Sequence, residues 1–304
     1  MRPVKNNTRG KAFVIIAVLF LVAYFLYKLI QIASGGLTLM GQDRVNIVFF
    51  GSQVRVLSFG VTDGVHYVIE LSNEQRVIVP GGYGRYKVGS LQKLAELEED
   101  PGIMQRATSS VLSAYVDRYF APQKAGIYTQ NSARGDFSKL ALLRHVFSVS
   151  SITNATIADR IYIGYLIIRT NKNSFVELST NTAKQVNGDA IFSERGYLKK
   201  YRGFFFHKTY REESLDTKIL YNNYDSAVDL SRVIEGQGIR IVDLDKAPQS
   251  FASCIITLDK DISGGPRATI SFFKREFDCS VEDGTSEGAD ITVILGSELE
   301  EKWE

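Results

Sequence analysis

The sequence lacks the motifs that mark the common enzyme classes. It has no HExxH zinc motif, Walker loop, dinucleotide-binding glycine fingerprint, CxxC pair or Gly-x-Ser-x-Gly nucleophile elbow. Histidine is also scarce, because the 304 residues include only 3, and His66, His145 and His207 all lie far from either cysteine in sequence. These absences weaken the case for the common enzymes and for a catalytic thiol.

The chain also lacks a strong net charge. Its 36 basic and 34 acidic residues leave a formal charge of +2, which gives no overall reason to expect nucleic-acid binding. Hydrophobic residues make up 44% of the chain and charged residues 23%, a composition that can bury a core. Because domains commonly run to roughly 100–200 residues, the length suggests about two of them.

A long apolar run near the N-terminus predicts a transmembrane helix. Every residue from Ala12 to Tyr27 is apolar or aromatic, and after Lys28 the run continues to Ala33. If Lys28 snorkels to the interface, residues 12–33 are long enough, because about 20 helical residues cross a hydrocarbon core.

The charges around this run predict its orientation. No acid precedes residue 34, and residues 1–11 contain four bases: Arg2, Lys5, Arg9 and Lys11. The positive-inside rule makes residues 1–11 a cytoplasmic tail and places the rest of the chain outside the cell membrane. The alternative is a cleaved signal peptide. The small residues at 33–35 would allow cleavage, although an apolar run of about 7–15 residues is usual there.

Two cysteines follow the predicted span and would therefore lie in an oxidising space, where disulfides persist. The segments around Cys254 and Cys279 are typical of strands, and residues 264–275 between them have helical character. A strand–helix–strand unit brings neighbouring strands together, so we predict a Cys254–Cys279 disulfide that stabilises the fold by about 3 kcal/mol. The alternative is a pair of buried, unpaired thiols.

The remaining pattern predicts mixed α/β structure. Four apolar or β-branched segments predict strands at 45–50, 54–59, 65–71 and 76–79. Apolar residues at helical spacing predict four helices. Their inward faces are Val88, Leu91, Leu94 and Leu97; Ile103, Met104, Ala107, Val111, Leu112, Tyr115 and Tyr119; Phe137, Leu140, Ala141 and Val146; and Ile157, Ile161, Tyr165 and Ile168. From residue 216 onward, short strands alternate with helices, as in a small α/β domain.

These pieces resemble a known family. The closing Ala-Asp-Ile-Thr-Val-Ile-Leu-Gly at 289–296 and the Gly-Gln-Gly-Ile at 236–239 are similar to the LytR C-terminal domain. The upstream part resembles a reduced LytR–CpsA–Psr core. The resemblance rests on Val-Asn-Ile-Val-Phe-Phe-Gly at 45–51, on Val-Pro-Gly-Gly-Tyr-Gly at 79–84 and on the predicted helix at 87–97 that follows this turn. The resemblance implies an α/β/α layered domain over 36–213 and a small α/β domain over 214–304.

The resemblance also implies chemistry. LytR–CpsA–Psr proteins transfer a glycan from a polyprenyl-pyrophosphate carrier to the cell wall, using arginines on the pyrophosphate and acids on Mg²⁺. Counted back from the Pro-Gly turn, the family's main Arg-Asp pair falls on Asn73 and Glu74, and Asn73 cannot supply a guanidinium. After Gly51 only Arg55 and Asp63 stand near the family's earlier cluster. The usual pyrophosphate clamp is therefore missing.

The glycine turn is a candidate pyrophosphate site in place of the missing clamp. Arg76, Arg85 and Lys87 surround it, and the amides of Gly81 and Gly82 are suited to an anion. The simpler alternative is a tight turn that needs glycine, surrounded by solvated bases.

Two hypotheses follow. The first is a non-catalytic, membrane-anchored envelope protein that binds wall glycan, the polyprenyl carrier or another envelope protein, with no cofactor. The second is a divergent phosphotransferase that attaches polyprenyl-pyrophosphate-linked glycans to the wall. In it, Glu74 holds Mg²⁺ and the three bases hold the pyrophosphate. Under both hypotheses the protein contacts the bilayer through residues 12–33, and neither hypothesis includes nucleic-acid binding.

Overall fold

The computed structural model of the protein describes part of the chain. The described residues are 24, 36–37, 42–124, 138–180, 182–184, 190–259, 262, 267–282, 284, 286 and 288–304. Within them, no helix is both long enough and apolar enough to cross a bilayer. The predicted span at 12–33 lies outside the described residues except for Tyr24, so it stays a prediction.

Strands and helices alternate along the described chain. In order, they are β1 (Arg44–Phe49), β2 (Val54–Gly60), β3 (His66–Leu71), β4 (Arg76–Val79), β5 (Gly84–Lys87), α1 (Leu91–Leu97), α2 (Gly102–Leu112), β6 (Arg118–Ala121), α3 (Lys139–Phe147), β7 (Ile152–Thr153), α4 (Ile157–Arg169), β8 (Phe175–Leu178), β9 (Thr182–Lys184), β10 (Ala190–Phe192), α5 (Glu194–Tyr201) and α6 (Lys208–Glu213). They continue with β11 (Asp216–Tyr221), α7 (Tyr224–Glu235), β12 (Arg240–Lys246), β13 (Ile255–Leu258), α8 (Ala268–Glu276), β14 (Ser280–Glu282), β15 (Ile291–Ile294) and α9 (Ser297–Trp303). The four strands predicted between residues 45 and 79 are confirmed.

The first sheet is covered by helices on both faces. Its strand order is β7-β6-β1-β2-β3-β8, with β1 antiparallel to β2 and parallel to β6. Because side chains alternate along a strand, Val48 packs with Ile103 of α2 on one face, whereas Ile47 packs with Ile163 of α4 on the other. This arrangement agrees with the expected α/β/α layering.

The inward faces predicted for three helices are partly wrong. Leu97 of α1 is 68% exposed, and the helix predicted from Ile103 to Tyr119 ends at Leu112, so that Tyr119 lies in β6 instead. Ile157, Ile161, Tyr165 and Ile168 of α4 are 70%, 62%, 50% and 61% exposed, and Leu140 of α3 is 61% exposed. The apolar side chains that α4 buries are Ile163, Leu166 and Ile167. Periodicity failed here because α4 is apolar on both faces, so spacing alone does not tell which face meets the core.

The C-terminal part forms its own sheet, with strand order β12-β11-β15-β13-β14. Strands β13 and β14 pair in parallel around helix α8, as expected from the strand–helix–strand pattern. This pairing brings the Cα atoms of Cys254 and Cys279 to 4.4 Å, and the two sulfurs form a disulfide. The predicted pairing is confirmed.

The two parts of the chain contact each other closely. The side-chain amide of Gln237, after α7, donates to the carbonyl oxygen of Tyr115 at 2.9 Å. At Gly236 an added Cβ would lie 1.6 Å from the carbonyl oxygen of Ser113, so only glycine fits there. The division into domains at residues 213 and 214 stays a prediction, but this contact fixes the walls of the cleft described below.

Candidate functional site

The predicted glycine turn between β4 and β5 is occupied by the chain itself. Gly81 and Gly82 have φ of 98° and 73°, in the left-handed region that glycine tolerates. Their amides donate to the main-chain oxygen of Glu304 at 2.7 and 3.0 Å. In this structure the two donors expected for a phosphoryl group therefore hold the end of helix α9.

The predicted basic side chains do share one surface. Arg76 pairs with Lys87 across β4 and β5, and Ile78 pairs with Arg85, so these side chains project from the same face of the ribbon. Val77 on the opposite face is buried. The structure thus brings the three bases together on an exposed face.

Glu74 lies beside these bases and is paired with one of them. Its Oε2 accepts a hydrogen bond from Lys87 Nζ at 2.6 Å, and the pair is partly exposed. Among the residues that the structure describes, no group of three or more acidic, histidine or cysteine side chains could hold a metal ion. The surroundings of Glu74 do not fit Mg²⁺, which needs several oxygen ligands around it.

The other positions compared with the family clamp have structural contacts. Asn73 is 8% exposed, and its amide donates to the Ser52 carbonyl oxygen at 2.8 Å. Arg55 is paired with Glu70 at 2.7 Å. Asp63 likewise accepts from Arg44 at 2.7 Å. These residues stabilise the pairing of β2 with β3 and the neighbouring turns instead of forming a pyrophosphate clamp.

A polar cleft of about 280 Å³ lies between helix α2 and the C-terminal part. It is lined by Gly102, Gln105, Arg106, Ser109, Tyr115, Ala252, Ser253, Cys254, Arg275, Glu276, Phe277, Asp278, Glu298, Leu299, Lys302 and Trp303. These residues come from four segments that are distant in sequence, so no motif predicted the cleft. The cleft is close to the glycine turn, because Lys302 in its wall is followed two residues later by Glu304.

Arg106 in the cleft wall has a donor without a partner in the described part of the chain. Its Nη2 donates to Asp100 Oδ2 at 2.7 Å, which fixes the guanidinium. Its Nε is buried and has no hydrogen-bond partner among the described residues. An unpaired buried donor is costly unless a ligand or water satisfies it. Arg106 is therefore well suited to meet an acceptor in the cleft.

The floor of the cleft holds an uncharged donor, the Tyr115 phenol. Burial raises the pKa of the Tyr115 phenol well above its ordinary value, and Glu276 adds to the effect. Burial, followed by Glu276, also raises the pKa of the neighbouring Asp117 to about 7. Gln105 Nε2 donates to Tyr115 Oη at 3.1 Å and holds the phenol in place. The floor and walls together offer neutral, cationic and anionic groups.

Two common catalytic groups, a free thiol and an imidazole, are absent from the described lining. Cys254 is in the disulfide, and none of the lining residues is a histidine. His207 is buried elsewhere, and burial lowers its pKa to about 3. The arrangement is suited to binding a polar molecule through hydrogen bonds.

Comparisons with known proteins gave matches only among solved structures. No family model matches the chain, and no curated protein sequence does. Bacillus subtilis TagV is similar over 52% of this chain and 94% of its own, at 10% identity and a TM-score of 0.38. Bacillus subtilis TagT is similar over 53% and 89%, at 11% identity and a TM-score of 0.37. A third similar structure is the LytR-CPS2A-psr family protein YwtF (TagT) with bound octaprenyl pyrophosphate lipid. The similarity covers 53% of this chain and 88% of that protein, at 11% identity and a TM-score of 0.37. The similar structures thus include a protein of the family that the sequence resembles.

Proposed function

We propose that this protein is a membrane-anchored, extracytoplasmic protein of the cell envelope that binds wall glycan without catalysing its transfer. The observation that carries the proposal is that Asn73, at a clamp position, and the glycine amides of the candidate pyrophosphate site have structural partners instead. Gly81 and Gly82 hold Glu304, and Asn73 holds a carbonyl group where the resembled family has an arginine. The scaffold is kept while its phosphate-binding groups have other partners.

The proposed location depends on the N-terminal sequence. Residues 12–33 form the single-pass anchor, residues 1–11 stay in the cytoplasm, and the rest of the chain faces the cell wall. The Cys254–Cys279 disulfide supports this location, because such bonds persist outside the reducing cytoplasm.

The cleft is the proposed binding site. Its volume of about 280 Å³ is close to roughly 300 Å³, the lower end of the usual range for small-molecule pockets. Arg106, Arg275 and Lys302 stand in its walls with Glu276, Asp278 and Glu298. Three cations balanced by three carboxylates suit a polar ligand with donors, acceptors and little net charge. A sugar ring carrying a peptide, as in peptidoglycan, has this chemistry.

The first test measures binding of a soluble muropeptide to the full-length protein in detergent by isothermal titration calorimetry. We expect saturable binding to wild type. The Arg106→Ala variant should bind at least about tenfold more weakly, because a hydrogen bond to a charged group contributes about 1.5–3 kcal/mol. As a control, Arg240→Ala removes a base that is 68% exposed and pairs with Asp216, and it should bind like wild type.

Three results would contradict the proposal. Wild-type protein that does not bind the muropeptide, or Arg106→Ala protein that binds it equally well, would exclude the cleft as the site. Glycan transfer by purified protein that is lost in Glu74→Gln would exclude the non-catalytic role. Circular dichroism of each variant checks that the fold is intact.

The shared face of Arg76, Arg85 and Lys87 favours a second function, the divergent phosphotransferase. Here the bases would meet the pyrophosphate of a polyprenyl carrier. This function predicts that an Arg85→Ala/Lys87→Ala double variant loses carrier binding and keeps its fold. Thermal shift with a polyprenyl pyrophosphate checks it, since a ligand at 100 times its dissociation constant stabilises a protein by about 2.7 kcal/mol. Equal shifts in the double variant and wild type would exclude this site.

A further inference from the structure

Helices α3 and α4 form a hairpin whose outer surface is apolar. Along α4, four large side chains follow the spacing i, i+4, i+8 and i+11 and are at least half exposed: Ile157, Ile161, Tyr165 and Ile168. Leu140, Phe147 and Val149 add to the surface from α3 and the loop after it, at 61%, 52% and 99% exposure. Contiguous exposed apolar surface of this kind marks an interaction site.

The hairpin is also basic. Residues 138–175 contain five cationic side chains and a single acid: Lys139, Arg144, Arg160, Arg169 and Lys172, with Asp159. Asp159 is fully buried and paired with Arg118, so its charge does not reach the surface. A helix with apolar side chains on one surface and basic residues around it is typical of segments that lie in the interface of an anionic bilayer.

The cations lie where they frame the apolar surface. Lys139 Nζ donates to the Ile168 carbonyl oxygen at 2.8 Å, joining the start of α3 to the end of α4. Arg160 donates to the carbonyl oxygens of Val146 and Ser148 at 3.0 and 2.7 Å, at the opposite end of the hairpin. Positive charge is therefore present at both ends of the two helices.

The path of the chain places this hairpin near the predicted anchor. Leu37 is fully buried, and its main-chain nitrogen donates to Asp159 Oδ1 in the first turn of α4 at 2.7 Å. The predicted span ends at Ala33, four residues earlier. Because an extended chain covers at most about 3.6 Å per residue, the end of the span lies within about 14 Å of Leu37. A helix held this close to the anchor is within reach of the membrane surface.

We propose that the α3–α4 hairpin docks on the anionic surface of the bilayer in which the chain is anchored. Ile157, Ile161 and Tyr165 would enter the interface between headgroups and acyl chains, and the surrounding cations would meet lipid phosphates. The argument rests in part on the proposed anchor, because Leu37 connects the hairpin to it. Docking would hold the ectodomain against the membrane in one orientation.

The test places a tryptophan reporter in the hairpin of the full-length chain. Tyr165→Trp and the control Tyr224→Trp replace tyrosines of similar exposure, 50% and 59%, and Tyr224 lies on α7 in the C-terminal part. Each variant is reconstituted in phosphatidylglycerol-rich vesicles with lipids brominated in the acyl chains. Trp303 is buried and supplies a baseline common to both variants. We expect at least a twofold loss of the added emission for Tyr165→Trp and no loss for Tyr224→Trp.

The outcomes separate docking from anchoring. Protein that floats with the vesicles while Tyr165→Trp stays unquenched would overturn docking and leave the anchor intact. Protein that does not float would overturn both. Emission of Tyr165→Trp that shifts with protein concentration and is not quenched by the brominated lipids would assign the hairpin to a second copy of the chain, which also overturns docking on lipid.

Discussion

Replacing Arg118 with methionine should lower the free energy of unfolding by about 3–5 kcal/mol, because it leaves a buried carboxylate without its partner. Arg118 Nε donates to Asp159 Oδ2 at 2.7 Å, with side-chain exposures of 7% and 0%. Asp159 also accepts from the main-chain nitrogens of Leu37 and Thr156 at 2.7 and 3.0 Å. One carboxylate thus joins strand β6, helix α4 and the segment after the predicted anchor.

Urea unfolding of the Arg118→Met variant measures this loss. The control is Arg240→Met, which breaks the largely exposed pair with Asp216 and should cost no more than about 1 kcal/mol. The Arg118→Met/Asp159→Asn double variant should lose less than the sum of its single variants, since it removes the unpaired charge. A loss below about 1 kcal/mol for Arg118→Met would mean that the pair does not stabilise the fold.

Removing the disulfide should destabilise the protein by about 3 kcal/mol. The bond joins cysteines 25 positions apart, and opening it lets the unfolded chain regain loop entropy. Both cysteines are buried, each directly before its strand (β13 or β14), so Cys254→Ala/Cys279→Ala is the suitable variant. We expect a lower urea midpoint for this variant and an equal shift for wild type in the presence of reductant.

The same variant tests the connection between the disulfide and the cleft. Cys254, Arg275 and Asp278 line the cleft on either side of the bond. Loosening this wall should weaken muropeptide binding along with stability. A reductant that leaves the unfolding midpoint of wild type unchanged would show that closing this loop contributes no stability.

Element types were largely predictable from the sequence, because they follow from local patterns. Runs such as Val-Asn-Ile-Val-Phe indicate a strand, and β1 occupies residues 44–49. The disulfide was predictable for the same reason, since the strand–helix–strand pattern around the cysteines has one usual topology. The faces of helix α4 were not predictable, because Ile161 and Ile163 are equally apolar and only packing against the sheet decides which one is buried.

The sequence by itself determined most of the strands and helices, and which two cysteines were available to bond. It did not show that the helix from Ile103 ends at Leu112 and that residues 118–121 form a strand. Tertiary structure decided what the sites contain, because contacts between distant segments leave no local pattern. The amides of Gly81 and Gly82 receive the main-chain oxygen of Glu304, more than 200 positions away. Likewise, Arg106 and Trp303 meet in one cleft only because helices α2 and α9 come together across the junction of the two parts.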